Sequence, residues 1–297
     1  MYVDNPHLLN NTEDFLYHFG LAKSQDLKSA FQDVKFVCCG GSASRMLSLA
    51  KYLQSELNVE NDGKAPRDLS NNSDRFSIFK VGPVLCINHG IGMDSLSVML
   101  NETLKLLYYA QCENASIIRV GTSGGIGLEP GTVVVTEAGL NGLLEPCHVE
   151  YRLGREVKTY GLLDAELRHG LLSQGSKFQF SVVSGKTVGA NDFYEAQARI
   201  DGAFCHYTAD DKFEFLRKIR YQFGVVNMEM EAPCFAAFCK RAQVKGAIVC
   251  VTLLDRLNGD QVNSSKSQLK EFESRPIKVV TAYIKHRLME GKNASSV

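Results

Sequence analysis

The chain has 297 residues, 44% hydrophobic and 22% charged, enough to bury a sizeable core as one large α/β domain or two small ones. Lys plus Arg and Asp plus Glu both number 33, giving a formal net charge of zero, and only a modest KHRLMEGK near the C-terminus is locally basic, which argues against nucleic acid as a partner. No stretch of about 18 apolar residues suggests a membrane span, and MYVDNPHLLNNTED lacks the basic-then-apolar order of a secretion signal, so the chain reads as cytosolic.

Short β-rich runs alternate with helical patterns along the chain. Strands are predicted over residues 34–39, 77–80, 84–88, 116–120, 132–136, 181–184 and 246–252. Helices are predicted over 44–57, 94–110, 163–173, 210–221, 230–242 and 266–288. No linker divides the chain, and the alternation implies one domain over 1–297 with a mixed, largely parallel sheet covered by helices on both faces. Ligands in such folds sit at the carboxyl ends of the strands. The turns bearing Arg45 and Arg119 and the segments after Ser184 and Thr252 are then expected to open onto one crevice.

The chemistry begins with arginines. In IIRVGTSGGIGLEPG an apolar strand carries Arg119 into a Gly/Ser/Thr turn. A buried guanidinium is costly without an anion, and glycines beside it let backbone N–H groups approach one. A strand-end Arg more often pairs with a carboxylate, but VGTSGG offers little side-chain bulk to act as that partner. Arg45 follows the strand and turn of VKFVCCGGSASR, and Arg75 precedes FSIFKVGPVLCI. Taken alone, Arg75 reads as an ordinary surface arginine. Three converging guanidinium forks would clamp a phosphate. The segment has neither a Walker loop nor dinucleotide-fingerprint glycine spacing.

Two further constellations stand out. In KTVGANDFYEAQARID, Gln197 and Arg199 face alike only if the backbone is extended or a helical turn ends between them. Gln offers a donor and an acceptor and Arg donors alone, which suits two carbonyls flanking an N–H, as in uracil or thymine. The alternative is an exposed polar loop, with Phe193 and Tyr194 packed inward or stacked on the base. In VVNMEME, read as opening a helix, carboxylates in the first turn are favourable for dipole reasons alone. Glu231, carried inward by the apolar helix behind it, also suits a ribose diol, with Met230 as an apolar face beside the sugar. Nine scattered cysteines without CxxC, and seven histidines not spaced for zinc, predict reduced buried thiols and no metal.

The segments VKFVCCGGSASRM, KVGPVLCINHGIGMDS, IIRVGTSGGIGLEPGTVVVTE, DFYEAQARIDGAFC, VVNMEMEAPCFAAFC and VCVTLLDRLNGDQV together resemble the nucleoside phosphorylase family, and within it the animal-type uridine phosphorylases. The likeness runs from about His18 to the C-terminal helix. It implies a single-domain three-layer α/β/α sandwich with a central mixed sheet. It implies that Gly41, Arg45, Arg119 and Thr122 bind phosphate, with Arg75 supplied by a neighbouring subunit. Gln197 and Arg199 would bind uracil with Phe193 against the base, and Met230 and Glu231 would hold the ribose. His18, from an N-terminal arm over 1–30, would reach a partner's 5′-hydroxyl, and Leu253, Leu254 and Arg256 would close over the base. Arg119, Gln197 and Arg199 would carry the catalysis.

The implied activity is reversible phosphorolysis of uridine, with deoxyuridine and thymidine as further candidates, giving uracil and ribose 1-phosphate. Phosphate is a substrate, no organic cofactor is needed, and shared sites imply a homodimer. Departures exist. Ala196 and Ala198 stand where the family commonly has glycine, and Asp255 stands where animal members usually carry asparagine. Purine-cleaving relatives use an aspartate near that position as a general acid, so a broader or purine specificity is one alternative. A hydrolytic nucleosidase and a silent ligand-binding paralogue are the others. The loop 257–267, rich in Asn, Gly and Ser, reads as a lid.

Overall fold

Alternating apolar and polar runs leave the N-terminal segment with only short elements, α1 (Pro6–Asn10), β1 (Phe15–Leu16), β2 (Leu21–Ala22) and α2 (Leu27–Phe31), with β1 and β2 paired antiparallel. The computed structural model describes residues 1–10, 13–60, 63–70 and 73–294. The main sheet starts at β3 (Phe36–Gly40), followed by α3 (Ala43–Glu56), the hairpin β4 (Ile78–Val81) and β5 (Val84–Asn88), and α4 (Gly92–Tyr109). Next come β6 (Ser116–Gly125), β7 (Val133–Leu140), an outlying hairpin of β8 (Cys147–Arg152) and β9 (Arg155–Tyr160), and α5 (Ala165–Gly175). The chain ends with β10 (Val182–Gly189), a 3₁₀ turn at Glu195–Gln197, α6 (Ala209–Phe223), β11 (Val225–Glu229), α7 (Ala232–Ala242), β12 (Gly246–Asp255) and α8 (Lys266–Ala294).

Every residue of β3 is buried, which only a strand covered on both faces permits. Val37 and Cys39 pack with Leu96, Met99 and Leu100 of α4 and Phe235 of α7. Phe36 and Cys38 point the other way, to Met46 and Leu49 of α3 and Val280 and Ile284 of α8. The period-2 alternation of one strand thus defines three layers. Each aliphatic or aromatic side chain fully buried in this way contributes roughly 1.5–3 kcal/mol.

The eight strands run in the order β11-β10-β7-β12-β6-β3-β5-β4, with mixed directions. β11 also pairs antiparallel with the end of β6, Asn227 opposite Gly125 and Met228 opposite Gly124. The sheet therefore curls, and β11, β10, β7, β12 and β6 form a closed ring rather than one open surface. Gly125 also lets the carbonyls of Leu128 and Leu254 close in beside it, since a Cβ there would lie 3.0 and 3.1 Å from them. Within the ring a buried polar chain links Thr136, Thr187, Asn227 and Ser123 through contacts of 2.8, 2.7 and 2.9 Å.

The predicted elements correspond to observed ones, with three corrections. The strand predicted to end at Val120 continues through Gly125, so TSGG is strand rather than turn and Arg119 lies mid-strand. The run VVNMEME does not open a helix. Val225–Glu229 is β11, and α7 begins only at Ala232. The β8/β9 hairpin was missed, because its mixed polar and half-buried pattern gives no apolar stripe. Eight of the nine cysteines are buried and unbridged, with Cys205 exposed. Among the described residues no helix is long and apolar enough to cross a membrane.

The approach of β7 to the start of α7 places Glu231, and it depends on Gly139. A Cβ there would lie 2.6 Å from the Ala232 carbonyl oxygen and 3.0 Å from the Pro233 nitrogen, and backbone atoms cannot swing aside. Gly139→Ala is expected to destabilise the protein by about 1–3 kcal/mol, read as a lower urea midpoint. An unchanged midpoint would show that α7 is free to shift.

Candidate active site

A cavity of about 230 Å³ opens at the carboxyl ends of β3, β5, β6, β11 and β12, the end of the sheet where ligands are expected. Its lining includes Gly41, Arg45, Arg119, Thr122, Phe193, Gln197, Arg199, Met230, Glu231, Leu253, Leu254 and Arg256. Twelve of the fourteen residues singled out in the sequence thus converge, although they come from segments up to about two hundred positions apart. The lining also includes His89, Ser123, Glu229 and Val262, which sequence reasoning did not select.

The other two, His18 and Arg75, lie outside the cavity of their own chain. They sit close together. The Ser73 hydroxyl donates to the His18 carbonyl and accepts from the Arg75 N–H at 3.3 Å, and His18 lies against the Phe76 ring at 5.9 Å. His18 Nδ1 is 2.6 Å from the Glu102 carboxylate, which also accepts the His18 and Phe19 N–H groups. Arg75 is exposed, and its carbonyl accepts from Asn88 Nδ2 at 3.2 Å.

At the anion end, Ser42 caps α3 and accepts from Arg45 N–H at 3.4 Å and from Arg45 Nε at 3.2 Å. Arg45 Nη1 then reaches Thr122 Oγ1 at 3.4 Å. A Cβ at Gly41 would stand 2.9 Å from Arg45 Nη2, displacing the guanidinium, and a tight 3.3 Å from the Gly90 carbonyl oxygen. The helix N-terminus, the Arg45 fork and the Thr122 hydroxyl form one donor-rich corner suited to an oxyanion.

Arg119 departs from expectation. It was expected to lack an acidic partner, but its Nη1 is 2.8 Å from Glu229 and its Nη2 bonds Glu231. The partners lie more than a hundred residues along the chain, so the small neighbours in VGTSGG said nothing about them. Arg119 Nε has no partner within the described residues. Glu231 Oε1 also accepts from Gly92 N–H at 2.6 Å, at the start of α4, while Glu229 accepts from the N–H groups of Glu231 and Ala232. Glu229 therefore caps α7 from the preceding strand, and both carboxylates rest on helix N-termini.

One guanidinium cannot hold two buried carboxylates at full charge without cost. Burial, which outweighs the pull of Arg119, raises the Glu229 carboxyl to about 7. For Glu231, burial acts upward too, but Arg119 and the Gly92 and Glu229 hydrogen bonds overcome it and leave the carboxylate below its ordinary value. Glu231 is thus the firmer anion, and Glu229 titrates near neutral pH, where it carries a proton part of the time.

At the opposite end the 3₁₀ turn stops at Gln197, and Ala198 adopts φ +53°, ψ +37°. That break brings Gln197 and Arg199 onto one side, as the second of the two conditions on the sequence required. Arg199 makes two bonds to Asp201, at 2.8 and 2.5 Å, and its guanidinium carbon lies 4.6 Å from the centre of the Phe193 ring. Arg256, 1% exposed, bonds the Gln197 carbonyl and lies 3.0 Å from Asp260. Asp260 in turn pairs with Lys212 at 2.7 Å and accepts from Ile200 N–H at 3.2 Å. Lys212, 2% exposed on α6, is in register with Leu216 and Ile219. A lysine on the apolar stripe of a helix was the one sequence signal that could have found this network. It also anchors the first part of the loop read as a lid, at Asp260.

Asp255 does not line the cavity. Its carboxylate accepts from Gly127 N–H at 2.9 Å, Leu257 N–H at 3.1 Å and Asn258 Nδ2 at 3.0 Å. A second cavity of about 260 Å³ lies between the N-terminal segment, α4 and α7 and contains none of these residues. Among the described residues no cluster of His, Cys, Asp and Glu is arranged to hold a metal.

Two expectations follow. Left-handed backbone at an L-residue costs about 1–2 kcal/mol, partly offset by glycine's greater unfolded-state freedom. Ala198→Gly should therefore raise stability by about 0.5–1 kcal/mol in urea denaturation, and a loss would mean that the φ at this position is not strained. A carboxyl raised in the folded state contributes stability below its unfolded value and loses it as pH rises through the folded one. Thermal stability should thus include a component lost between about pH 5 and 8, which Glu229→Gln removes; parallel profiles for the two proteins would contradict the assignment.

Comparison with known proteins fits this geometry. A family model described as the phosphorylase superfamily matches residues 35–285. Uridine phosphorylase 1 of Mus musculus is 45% identical over 288 residues, covering 96% of this chain and 92% of its own. The uridine and thymidine phosphorylase of Caenorhabditis elegans is 46% identical over 278 residues, with 93% and 92% covered. An inactive uridine phosphorylase B of Schistosoma mansoni is 38% identical, with 95% of each chain covered. A uridine phosphorylase structure from the oomycete Phytophthora capsici superposes with a TM-score of 0.93 at 44% identity, covering 97% of this chain and 98% of that one. With a family model over most of its length and relatives of this identity, the chain belongs to the phosphorylase superfamily.

Proposed function

We propose that this protein is a pentosyltransferase that cleaves uridine by reversible phosphorolysis. The observation that carries the reading is the convergence, in one cavity, of a donor-rich corner at Arg45 and Thr122, an anionic Glu231 and the Gln197/Arg199 pair. Phosphate bound at Gly41, Arg45 and Thr122, with Arg119 behind, would lie beneath C1′ of the ribose. Glu231 and Met230 would hold the sugar hydroxyls and its apolar face. As the bond from C1′ to N1 lengthens, positive charge grows on the sugar and negative charge on the base. Phosphate stabilises the first and Gln197 with Arg199 the second. A phosphate oxygen then bonds to C1′, and uracil leaves with the bonding pair. No organic cofactor or metal enters these steps.

The specificity follows from where carboxylates point. Asp255, the candidate acid for a purine, is used by the backbone of two loops, which favours pyrimidines over a purine or broad specificity. The relative that acts on both uridine and thymidine supports thymidine as a second substrate. We assign His18 and Arg75 to a partner's site in a homodimer, because both sit at one exposed location while their own cavity lacks them. The setting is pyrimidine salvage in the cytoplasm.

Uridine cleavage by dialysed protein, followed by absorbance, should depend on added phosphate and yield ribose 1-phosphate. Cleavage at the same rate without phosphate would make the protein a nucleosidase, and no cleavage in either case would make it a silent binder. Gln197→Leu should lower kcat/KM for uridine on the order of 10²-fold, and an unchanged preference for uridine over inosine would remove the base-reading role.

A further inference from the structure

Among the described residues, His89 is a buried polar side chain with both of its hydrogen-bonding atoms unpartnered. It directly follows β5, and its N–H donates to the Gly40 carbonyl at 2.8 Å, which fixes it between the carboxyl ends of β3 and β5. Its side chain is 1% exposed and lines the cavity. Yet neither Nδ1 nor Nε2 has a hydrogen-bond partner among the described residues. Leaving one such buried group unsatisfied costs about 1–3 kcal/mol, and buried polar side chains are otherwise almost always paired.

The surroundings offer the ring nothing to bind. Asn88, the neighbour before it, is committed to Ser77 N–H at 2.6 Å and to the Arg75 carbonyl. The charged groups facing His89 are Arg119, Glu231 and Arg45. Arg119 and Glu231 are bonded to each other, and Arg45 is turned toward Ser42 and Thr122. Burial first, and then the charge of Arg119, pushes the imidazole down to about 3. The ring is therefore neutral at any working pH, with one N–H donor and one lone-pair acceptor. A neutral ring cannot serve as a proton reservoir here, and its two nitrogens need a ligand that is an acceptor on one side and a donor on the other.

The charged groups acting on His89 include Arg45 of the anion corner and Glu231, the carboxylate assigned to the sugar. We propose that His89 is a substrate ligand that bridges the two reactants, donating one hydrogen bond to a phosphate oxygen and accepting one from a ribose hydroxyl. This rests on the phosphorolysis reading of the same cavity. One rigid side chain then sets the distance between nucleophile and sugar, a positional contribution of the kind that raises effective concentration. Because it is uncharged, it does so without adding repulsion to the Arg45 and Arg119 pair.

The test compares the wild type with His89→Phe, which keeps a ring and removes both hydrogen-bonding atoms, and His89→Gln, which keeps a donor and an acceptor and serves if the first variant does not fold. KM and kcat are measured against phosphate at saturating uridine and the reverse, with uridine, 2′-deoxyuridine and 3′-deoxyuridine. His89→Phe is expected to lower kcat/KM for both phosphate and uridine about tenfold or more, by loss of roughly one hydrogen bond to each, with His89→Gln recovering part. The uridine penalty should vanish for whichever deoxynucleoside lacks the bonded hydroxyl. A folded His89→Phe with wild-type constants, or a penalty equal for all three nucleosides, overturns the proposal. Phosphate binding by titration calorimetry is read independently of turnover: if the wild type binds phosphate without cleaving uridine, the activity reading fails, and equal affinity in His89→Phe would then sink the His89 assignment by itself.

Discussion

The contact on which the site depends is the buried group formed by Arg119, Glu229 and Glu231. It joins the middle of β6 to the end of β11 and to the starts of α7 and α4. Taking three ionisable groups out of water is expensive, and such clusters rarely add to stability on balance. Three features reduce the cost here: the opposite charges, the two helix N-termini, and the burial that raises Glu229 so that it is only partly ionised near neutral pH. What the cluster confers is position. Glu231 has its carboxylate held from two directions, and Arg119 is locked across the floor of the cavity with its Nε unpartnered.

A second buried charged cluster fixes the opposite end. Lys212, Asp260 and Arg256 hold the loop carrying Gln197 and Arg199 against β12. Both clusters use carboxylates to orient guanidinium groups rather than to face solvent, and the space between them is where the two binding functions meet. Arg199, half spent on Asp201, retains Nη1 without a hydrogen bond among the described residues. The closed ring of strands supplies the rigid frame, since it fixes β6, β11 and β12 relative to one another through backbone hydrogen bonds.

Four strands of the ring, β6, β7, β10 and β12, continue beyond their predicted ends. In β6 the added residues are glycine, threonine and serine, so apolar periodicity stops while pairing continues; in β7, β10 and β12 polar or glycine residues such as Glu137, Lys186 and Asp255 interrupt it among the apolar ones. TSGG of β6 stays in the sheet because β12 and β11 bond to it, a fact with no local trace. The same effect hid β11. Its Asn227 and Glu229 face the ring interior and the cluster, so a strand with buried polar residues resembled the opening of an amphipathic helix. Local pattern misleads most where the chain is built for binding rather than for packing.

The sequence by itself determined the layers, the residue types able to bind an anion, a diol and a planar base, and the segments that bring them, because periodicity and side-chain chemistry are local properties. Only the tertiary structure decided what each group is bonded to: that Arg119 carries two carboxylates, that Asp255 serves two loops and not the cavity, and that His89 stands unpartnered in its wall. The bonds of Arg119 to its carboxylates and of Asp255 to Gly127 join residues about 110 to 130 positions apart that meet only when the sheet closes, and no short window of sequence contains both members of such a pair.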